Sequence, residues 1–181
     1  MIESKNFDKK PKDSSDPSTQ IKSSVANLRS GDGGVRQEAR EILTSIGKQS
    51  VGQLIPLLKD LEDDVRWEAA KALSEIADPQ AAPELVAILE DPNFGVRWLA
   101  AEGLIVIGRD ALVPLMEALT KRSDSAWLRE GAHHVLHDLA EMDLEVKDLV
   151  APVIAALEGT EPEIGVMNPA YAALDKLKVS I

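Results

Sequence analysis

Apolar residues recur every three or four positions along this chain from about residue 20 onward. That spacing is the signature of one face of an α-helix packed against a core. A representative stripe consists of Val65, Ala69, Ala72, Leu73 and Ile76. Short polar stretches that contain Asp, Asn, Gly or Pro separate one helical segment from the next. The pattern therefore predicts an all-α protein.

The helical pattern repeats itself. Four similar segments begin at Val35, Val65, Val96 and Leu128, and an arginine follows each of these residues. The starting residue recurs after 30, 31 and 32 residues. Self-similarity at this period is typical of stacked repeats, in which each unit buries its apolar face only by packing on its neighbours. We therefore predict a solenoid rather than one globular core.

Each repeat divides into a first helix, A, and a second helix, B. The A helices are expected to begin near residues that favour an N-cap, namely Asp32, Asp63, Asn93, and Asp124 or Ser125. Three of them are expected to end at Ile46-Gly47, Ile76-Ala77 and Ile107-Gly108. The B helices are expected to begin near prolines, which a first helical turn tolerates, at Pro56, Pro83, Pro114 and Pro152.

These signals divide the chain into a tail, a repeat array and two terminal helices. Residues 1–18 are polar and charged, which predicts a disordered tail. The array over 19–181 comprises a leading helix (19–30), repeats at 31–61, 62–91, 92–122 and 123–159, and a closing A helix (160–181). About ten helices in stacked antiparallel pairs are expected.

One stretch carries a family resemblance. The run that starts Val65-Arg66-Trp67-Glu68-Ala69-Ala70 and ends Ile76-Ala77-Asp78-Pro79 resembles a HEAT repeat of the phycobilisome-lyase subtype. The resemblance covers about residues 34–157 and implies a right-handed α-α superhelix, a HEAT-like solenoid. Proteins with such repeats include adaptors, lyase subunits and an iron hydroxylase, so the resemblance specifies a fold more closely than a function.

The resemblance also implies a role for the recurrent arginine, which in such repeats commonly reaches an acidic residue of an adjacent repeat. The expected structural ladder joins Arg36, Arg66, Arg97 and Arg129 to Asp32, Asp63 and Asp124. The third repeat has Asn93 at the corresponding position. Replacing one of these arginines is expected to lower stability rather than to remove a specific activity.

Composition narrows the classes of function. The chain has 31 Asp and Glu residues against 20 Lys and Arg, a net charge of −11, and its basic residues do not visibly cluster. Such a chain repels a phosphate backbone, so nucleic acid is not an expected partner. It has no cysteine, which excludes disulfides, thiolate metal sites and cysteine nucleophiles. No signal peptide or membrane-spanning run is recognised, and a cytoplasmic location is expected.

Two surfaces are candidates for binding another protein. Trp67 and Trp98 occupy the same position in adjacent repeats and lie beside the apolar stripe. Tryptophan is enriched at interaction hot spots, although both rings could instead pack across the repeat junctions. The B helices form the second surface, because they usually line the concave face of such a solenoid. Its polar candidates are Gln53, Glu84 and Glu117.

The fourth A helix carries a possible metal site. Glu130, His134, His137 and Glu141 are spaced so that they share one helical face. Imidazole and carboxylate groups at that spacing can hold a divalent ion. The chain has only three histidines, all on this helix, so ligands from other helices are not evident. A solvated polar face explains the same pattern better.

Three functions therefore follow in order of preference. The first is a non-enzymatic scaffold or adaptor that binds another protein, needs no cofactor, and is a monomer or weak oligomer. The second, which the resemblance implies, is a bilin lyase or chaperone-type subunit. The third and most remote is a metal-dependent enzyme that uses the Glu and His face. No glycine-rich phosphate loop or nucleophile elbow supports an enzyme.

Overall fold

The structure is a computed structural model that describes residues 16–179. The predicted tail lies outside the described residues except for its last three. Of these, Asp16 precedes the first helix, and Pro17 and Ser18 belong to it. Proline suits this position because the first N–H groups of a helix have no partner within the helix.

The described residues form helices and connecting turns. The α-helices are α1 (Pro17–Asn27), α2 (Gly33–Ile46), α3 (Lys48–Leu54), α4 (Asp63–Ile76), α5 (Ala82–Ala87), α6 (Phe94–Ile107), α7 (Leu112–Lys121), α8 (Ala126–Met142), α9 (Leu144–Leu157), α10 (Pro162–Gly165) and α11 (Met167–Val179). Short 3₁₀ segments extend or precede the B helices at Ile55–Lys59, Pro79–Ala81, Ile88–Glu90 and Gly108–Ala111.

The helices build two layers. The A helices α2, α4, α6 and α8 stack in succession, and each is followed by a B helix, α3, α5, α7 or α9. Alanines on α4 and α6 are buried at the contacts between A helices, which lets the helix backbones approach closely. Leucines of both layers fill the space between them, and Leu104 and Leu115 are fully buried. The predicted all-α solenoid of stacked helix pairs is confirmed.

All four A helices begin at or one residue after a predicted residue, and three of these residues make the expected cap hydrogen bond. Asp32 accepts a hydrogen bond from the Gly34 N–H (2.8 Å), and Asn93 and Ser125 cap α6 and α8 in the same way. Helix α4 differs, because Glu62 occupies the cap position without a side-chain bond. The cap role explains why Asp32 is not available as an arginine partner.

The predicted starts of the first and fourth B helices are wrong. Helix α3 begins at Lys48, and Pro56 lies in the 3₁₀ segment that continues it. Pro152 lies in the interior of α9, which begins at Leu144, eight residues earlier. Asp143 accepts hydrogen bonds from the N–H groups of Glu145 and Val146 and so starts the helix there. Pro152 is exposed, so its ring faces solvent and the helix continues past it despite the lost backbone bond.

The ends of three A helices have left-handed backbone. Gly47 and Gly108 have φ of +72° and +77°, whereas Ala77 has φ of +52° at the same place. We expect Ala77→Gly to raise the free energy of unfolding by about 0.5–1 kcal/mol. The left-handed conformation costs alanine ~1–2 kcal/mol, and the greater backbone entropy that glycine loses on folding offsets only part of this gain. Gly108→Ala should lower the free energy of unfolding by about 1 kcal/mol or more. Urea denaturation of both variants checks the opposite signs.

The last helix lies elsewhere than predicted. A closing A helix would stack on α8, but α11 packs mainly against α7 and also against α9, which are B helices. Its buried stripe is Ala170, Ala173, Leu174 and Leu177. The short helix α10 turns the chain back so that α11 enters the B layer. Helix α11 therefore packs on the B helices of the last two repeats and does not cap the end of the A layer.

Each recurrent arginine makes the same hydrogen bond. Its Nη1 atom donates to the backbone carbonyl six residues earlier, in the loop that leads into its own helix. The pairs are Arg36 to Ser30 (2.9 Å), Arg66 to Asp60 (2.9 Å), Arg97 to Asp91 (2.8 Å) and Arg129 to Ser123 (2.5 Å). A guanidinium placed in this way satisfies a loop carbonyl and fixes the loop to the helix.

The carboxylate partner of Arg66 differs from the predicted Asp63. Arg66 makes two hydrogen bonds to Asp91, from Nε to Oδ2 (2.7 Å) and from Nη2 to Oδ1 (3.1 Å). Because Nη1 is held by the loop before α4, the other edge of the guanidinium faces the loop before α6. The hydrogen bond to Asp91 raises the pKa of Arg66. Asp63 instead accepts a bond from Nδ2 of Asn93 (3.0 Å).

The other arginines also depart from the predicted pairing. Arg36 pairs with Asp64 of the next repeat (2.9 Å). Within residues 16–179, Arg97 and Arg129 have no carboxylate within ion-pair distance, and Asp124 is an exposed loop residue. The repeated element of the ladder is therefore the bond to the loop carbonyl, and the acidic partner varies from one repeat to the next.

Candidate protein-binding site

The two candidate tryptophans have different environments. Trp67 is half-buried where α4 meets α6, with Cδ1 and Nε1 3.3 Å from the position that a Cβ atom on Gly95 would take. The Arg40 guanidinium lies over its ring, 5.7 Å from the centroid. Trp67 therefore packs across a repeat junction, which is the alternative that the sequence left open.

Trp98 belongs instead to an exposed group of aromatic rings. It is 48% exposed, and Phe94 and Trp127 beside it are 64% and 45% exposed. These three rings border what we term the aromatic cleft, between α6 and α8. Phe94 and Trp127 were not predicted from the sequence as site residues. Helical spacing could have identified them, because Phe94 and Trp98 share one face of α6 and Trp127 lies in the first turn of the facing helix α8.

The aromatic cleft also holds polar groups in defined positions. The Arg97 guanidinium lies over the rings of Trp127 and Phe94, at 4.6 Å and 5.6 Å from their centroids. The ring of His134 stacks on Trp98, with centroids 5.1 Å apart and an interplanar angle of 21°. These contacts join neighbouring repeats and hold the rings in place while leaving much of their surface exposed.

The floor of the aromatic cleft is apolar and closely packed. It consists of Leu89, Ala101 and Gly131, and the open volume above it is about 200 Å³. A Cβ atom on Gly131 would lie 2.8 Å from Cδ2 of Leu89, so a larger residue at this position would force Leu89 or α8 to shift. The cleft thus offers room for a single large side chain between rigid helices.

A family model for HEAT repeats matches residues 21–105 and 52–137, which together cover more than half of the chain. The chain belongs to the HEAT-repeat family. Its similarity to solved structures is weaker. Three crystal structures of engineered proteins share 22% identity with this HEAT-repeat chain. They cover 88%, 87% and 92% of it, over 79%, 47% and 87% of their own lengths, with TM-scores of 0.43, 0.45 and 0.41. No curated protein matches.

The candidates on the B layer of the HEAT-repeat array are partly engaged within the chain. Glu84 pairs with Lys59 (2.7 Å), and Glu117 pairs with Lys178 of α11 (3.3 Å). Gln53 is exposed. A larger groove of about 610 Å³ lies beside α11 and is lined mainly by proline, alanine and aliphatic side chains. The structure does not bring Gln53, Glu84 and Glu117 together with the tryptophans.

The pair between Glu117 and Lys178 predicts a pH dependence. The hydrogen bond from Lys178 lowers the pKa of Glu117 below its ordinary value of 4.5. Stability from this pair is therefore present above pH 4.5 and is lost as the pH falls through the lowered pKa. We expect Lys178→Gln to be less stable than wild type at neutral pH, with the difference disappearing in acid. Urea denaturation of both proteins between pH 7 and pH 3 checks this; a difference independent of pH contradicts it.

The structure does not assemble the candidate metal site. Glu130 and His134 line the aromatic cleft, whereas His137 and Glu141 line a groove between α8 and α9. His134 lies 3.3 Å from Glu102 of α6. Among residues 16–179, no three His, Asp or Glu side chains are grouped as metal ligands. None of the helices in that range has both the length and the apolar composition to cross a membrane.

Proposed function

We propose that this HEAT-repeat protein is a non-enzymatic scaffold that binds another protein through the aromatic cleft. The observation that carries the proposal is the convergence of Phe94, Trp98 and Trp127, all partly exposed, from two adjacent repeats. The chain has 3 Trp, 2 Phe and 1 Tyr, and half of these rings lie in this one place.

Energetic reasons favour such a cleft as a docking surface. Rings that stay exposed leave apolar area in contact with water, and a partner that covers them recovers the hydrophobic free energy. Tryptophan is enriched among residues that dominate binding energy, because it buries a large area with few rotatable bonds. The rings are already held by Arg97 and His134, so little side-chain entropy is lost on binding.

The proposal includes further expectations that rest on the sequence: a cytoplasmic location, no cofactor, no nucleic acid or membrane partner, and a monomer or weak oligomer. The bilin lyase or chaperone subunit of the phycobilisome-lyase subtype draws no support from the aromatic cleft. The volume of the aromatic cleft, about 200 Å³, is below the roughly 300–1,000 Å³ that is usual for small-molecule and cofactor pockets.

Affinity capture from an extract of the native organism tests the proposal. Wild type, Trp98→Ala/Trp127→Ala and Tyr171→Ala serve as baits, and circular dichroism establishes that all three are equally helical. Tyr171 is 51% exposed on α11 and controls for loss of an exposed ring elsewhere. We expect one protein to be held by wild type and Tyr171→Ala but lost from the double variant. If the double variant retains the protein equally, the partner binds outside the aromatic cleft, with the B layer as the next candidate, and the proposal is contradicted.

A further inference from the structure

We infer that the aromatic cleft binds an arginine side chain from a basic segment of the partner protein, with the guanidinium paired to Glu130. This inference rests on the proposed function and specifies the chemistry of the partner at the same site. It follows from the shape of the cleft, from a carboxylate without an internal partner, and from the charge of the whole chain.

The lining of the cleft suits a long side chain with an apolar stem and a charged end. The floor formed by Leu89, Ala101 and Gly131 offers apolar contact to methylene groups, and Trp98 offers a ring at the wall. Lysine and arginine bury their stems in this way while the charged group remains at the rim. A planar guanidinium additionally stacks on aromatic rings, which favours arginine over lysine.

Glu130 is the group that would receive the charge. Glu130 is exposed and lines the cleft, and its carboxylate forms no hydrogen bond or ion pair with another residue of the described range 16–179. Glu102 of α6, by contrast, lies 3.3 Å from His134. Glu130 is therefore the carboxylate at this site that a partner cation can reach without displacing an internal contact. Arginine and carboxylate pair through two parallel hydrogen bonds.

Arg97 is the positive group that an incoming cation would meet. Its guanidinium is covered by Trp127 and Phe94, and Nη1 donates to the carbonyls of Asp91 and Pro92. Arg97 shows that rings of this cleft accept a guanidinium over their faces. Stacking does not remove the charge of Arg97, so an incoming guanidinium must gain more from pairing with Glu130 than it loses by repulsion from Arg97. A carboxylate ligand for Arg97 would approach a chain of net charge −11, whereas a basic segment is attracted by it.

Nuclear magnetic resonance tests the inference with a defined probe. The probe is a capped peptide, acetyl-Gly-Ser-Arg-Ser-Gly-amide, and the control peptides carry citrulline or glutamate in place of arginine. Citrulline has the shape of arginine without the charge. The chain has 3 Trp, so the indole N–H signals of Trp98 and Trp127 report on the cleft, and that of Trp67 serves as an internal reference. We expect saturable shifts of Trp98 and Trp127 with the arginine peptide and no shift of Trp67.

Two comparisons decide the chemistry. The citrulline peptide should bind at least tenfold more weakly than the arginine peptide. Glu130→Gln should weaken the arginine peptide at least tenfold, whereas Glu141→Gln, an exposed acid on the same helix outside the cleft, should not. Equal binding of citrulline, preference for glutamate, no effect of Glu130→Gln, or no indole shift overturns the inference. The capture experiment can still succeed in each of those cases, so the two proposals fail separately.

Discussion

Arg66→Ala is expected to lower the free energy of unfolding by about 3 kcal/mol. This value is the lower end of the range found when one partner of a buried ion pair is removed. The Arg66 and Asp91 side chains are only 12% and 5% exposed. The substitution leaves Asp91 buried without its cation and leaves the carbonyls of Asp60 and Leu61 without their donor. Urea denaturation followed by circular dichroism measures the change.

Arg109→Ala is the matched control for the loss of an arginine. Arg109 is half-exposed and pairs with Glu145 across the surface (2.9 Å), so its removal should lower stability much less than removal of Arg66. The double variant Arg66→Ala/Asp91→Ala should be more stable than additivity of the single variants predicts, because the buried charge is removed with its partner. Equal effects of Arg66→Ala and Arg109→Ala would refute the structural role of the ladder.

Ala170→Glu is expected to detach α11 and to lower the free energy of unfolding by about 3 kcal/mol. Ala170 is fully buried in α11, where a carboxylate would lose its hydration without gaining a partner. Ala172→Glu on the exposed side of the same helix controls for charge and helix propensity and should change stability by no more than about 0.5 kcal/mol. Urea denaturation of both variants gives the comparison.

Cross-linking tests the position of α11 independently of stability. The chain has no cysteine, so a pair of introduced cysteines is labelled without interference. A short bismaleimide should join Lys178→Cys to Glu117→Cys, because Nζ and Oε1 of the native residues are 3.3 Å apart. Cross-linking of Lys178→Cys to Glu141→Cys on α8 instead would restore the closing A helix that the sequence predicted and contradict the structure.

The repeated part of the fold could be predicted because it is repeated in the sequence. Valine or leucine followed by arginine recurs at each A helix, and the spacing of apolar residues fixes which face is buried. Cap residues such as Asn93 then fix where the helices begin. The bond from arginine to a loop carbonyl could not be foreseen, since every residue has a carbonyl and none stands out in a sequence. The aspartates did stand out and suggested the wrong partners.

The position of α11 and the composition of the cleft depend on contacts between distant segments. The stripe of Ala170, Ala173, Leu174 and Leu177 suits packing on either layer, so periodicity cannot choose between them. Among the three rings of the cleft, only Trp98 occupies a position that repeats in the sequence, where Trp67 is its equivalent. Phe94 lies four residues before Trp98 on α6, but Trp127 reaches it only through the stacking of α8 on α6, a contact between repeats that periodicity does not show.

Hydrogen exchange of the complex with the captured partner tests most directly whether the aromatic cleft is the binding surface. Backbone amides are compared with and without the partner by mass spectrometry. The proposal predicts slower exchange in α6 near residues 94–102 and in α8 near residues 127–134, with α3, α5 and α7 unchanged. Protection confined to the B helices, with α6 and α8 unchanged, would contradict it and place the partner on the opposite layer.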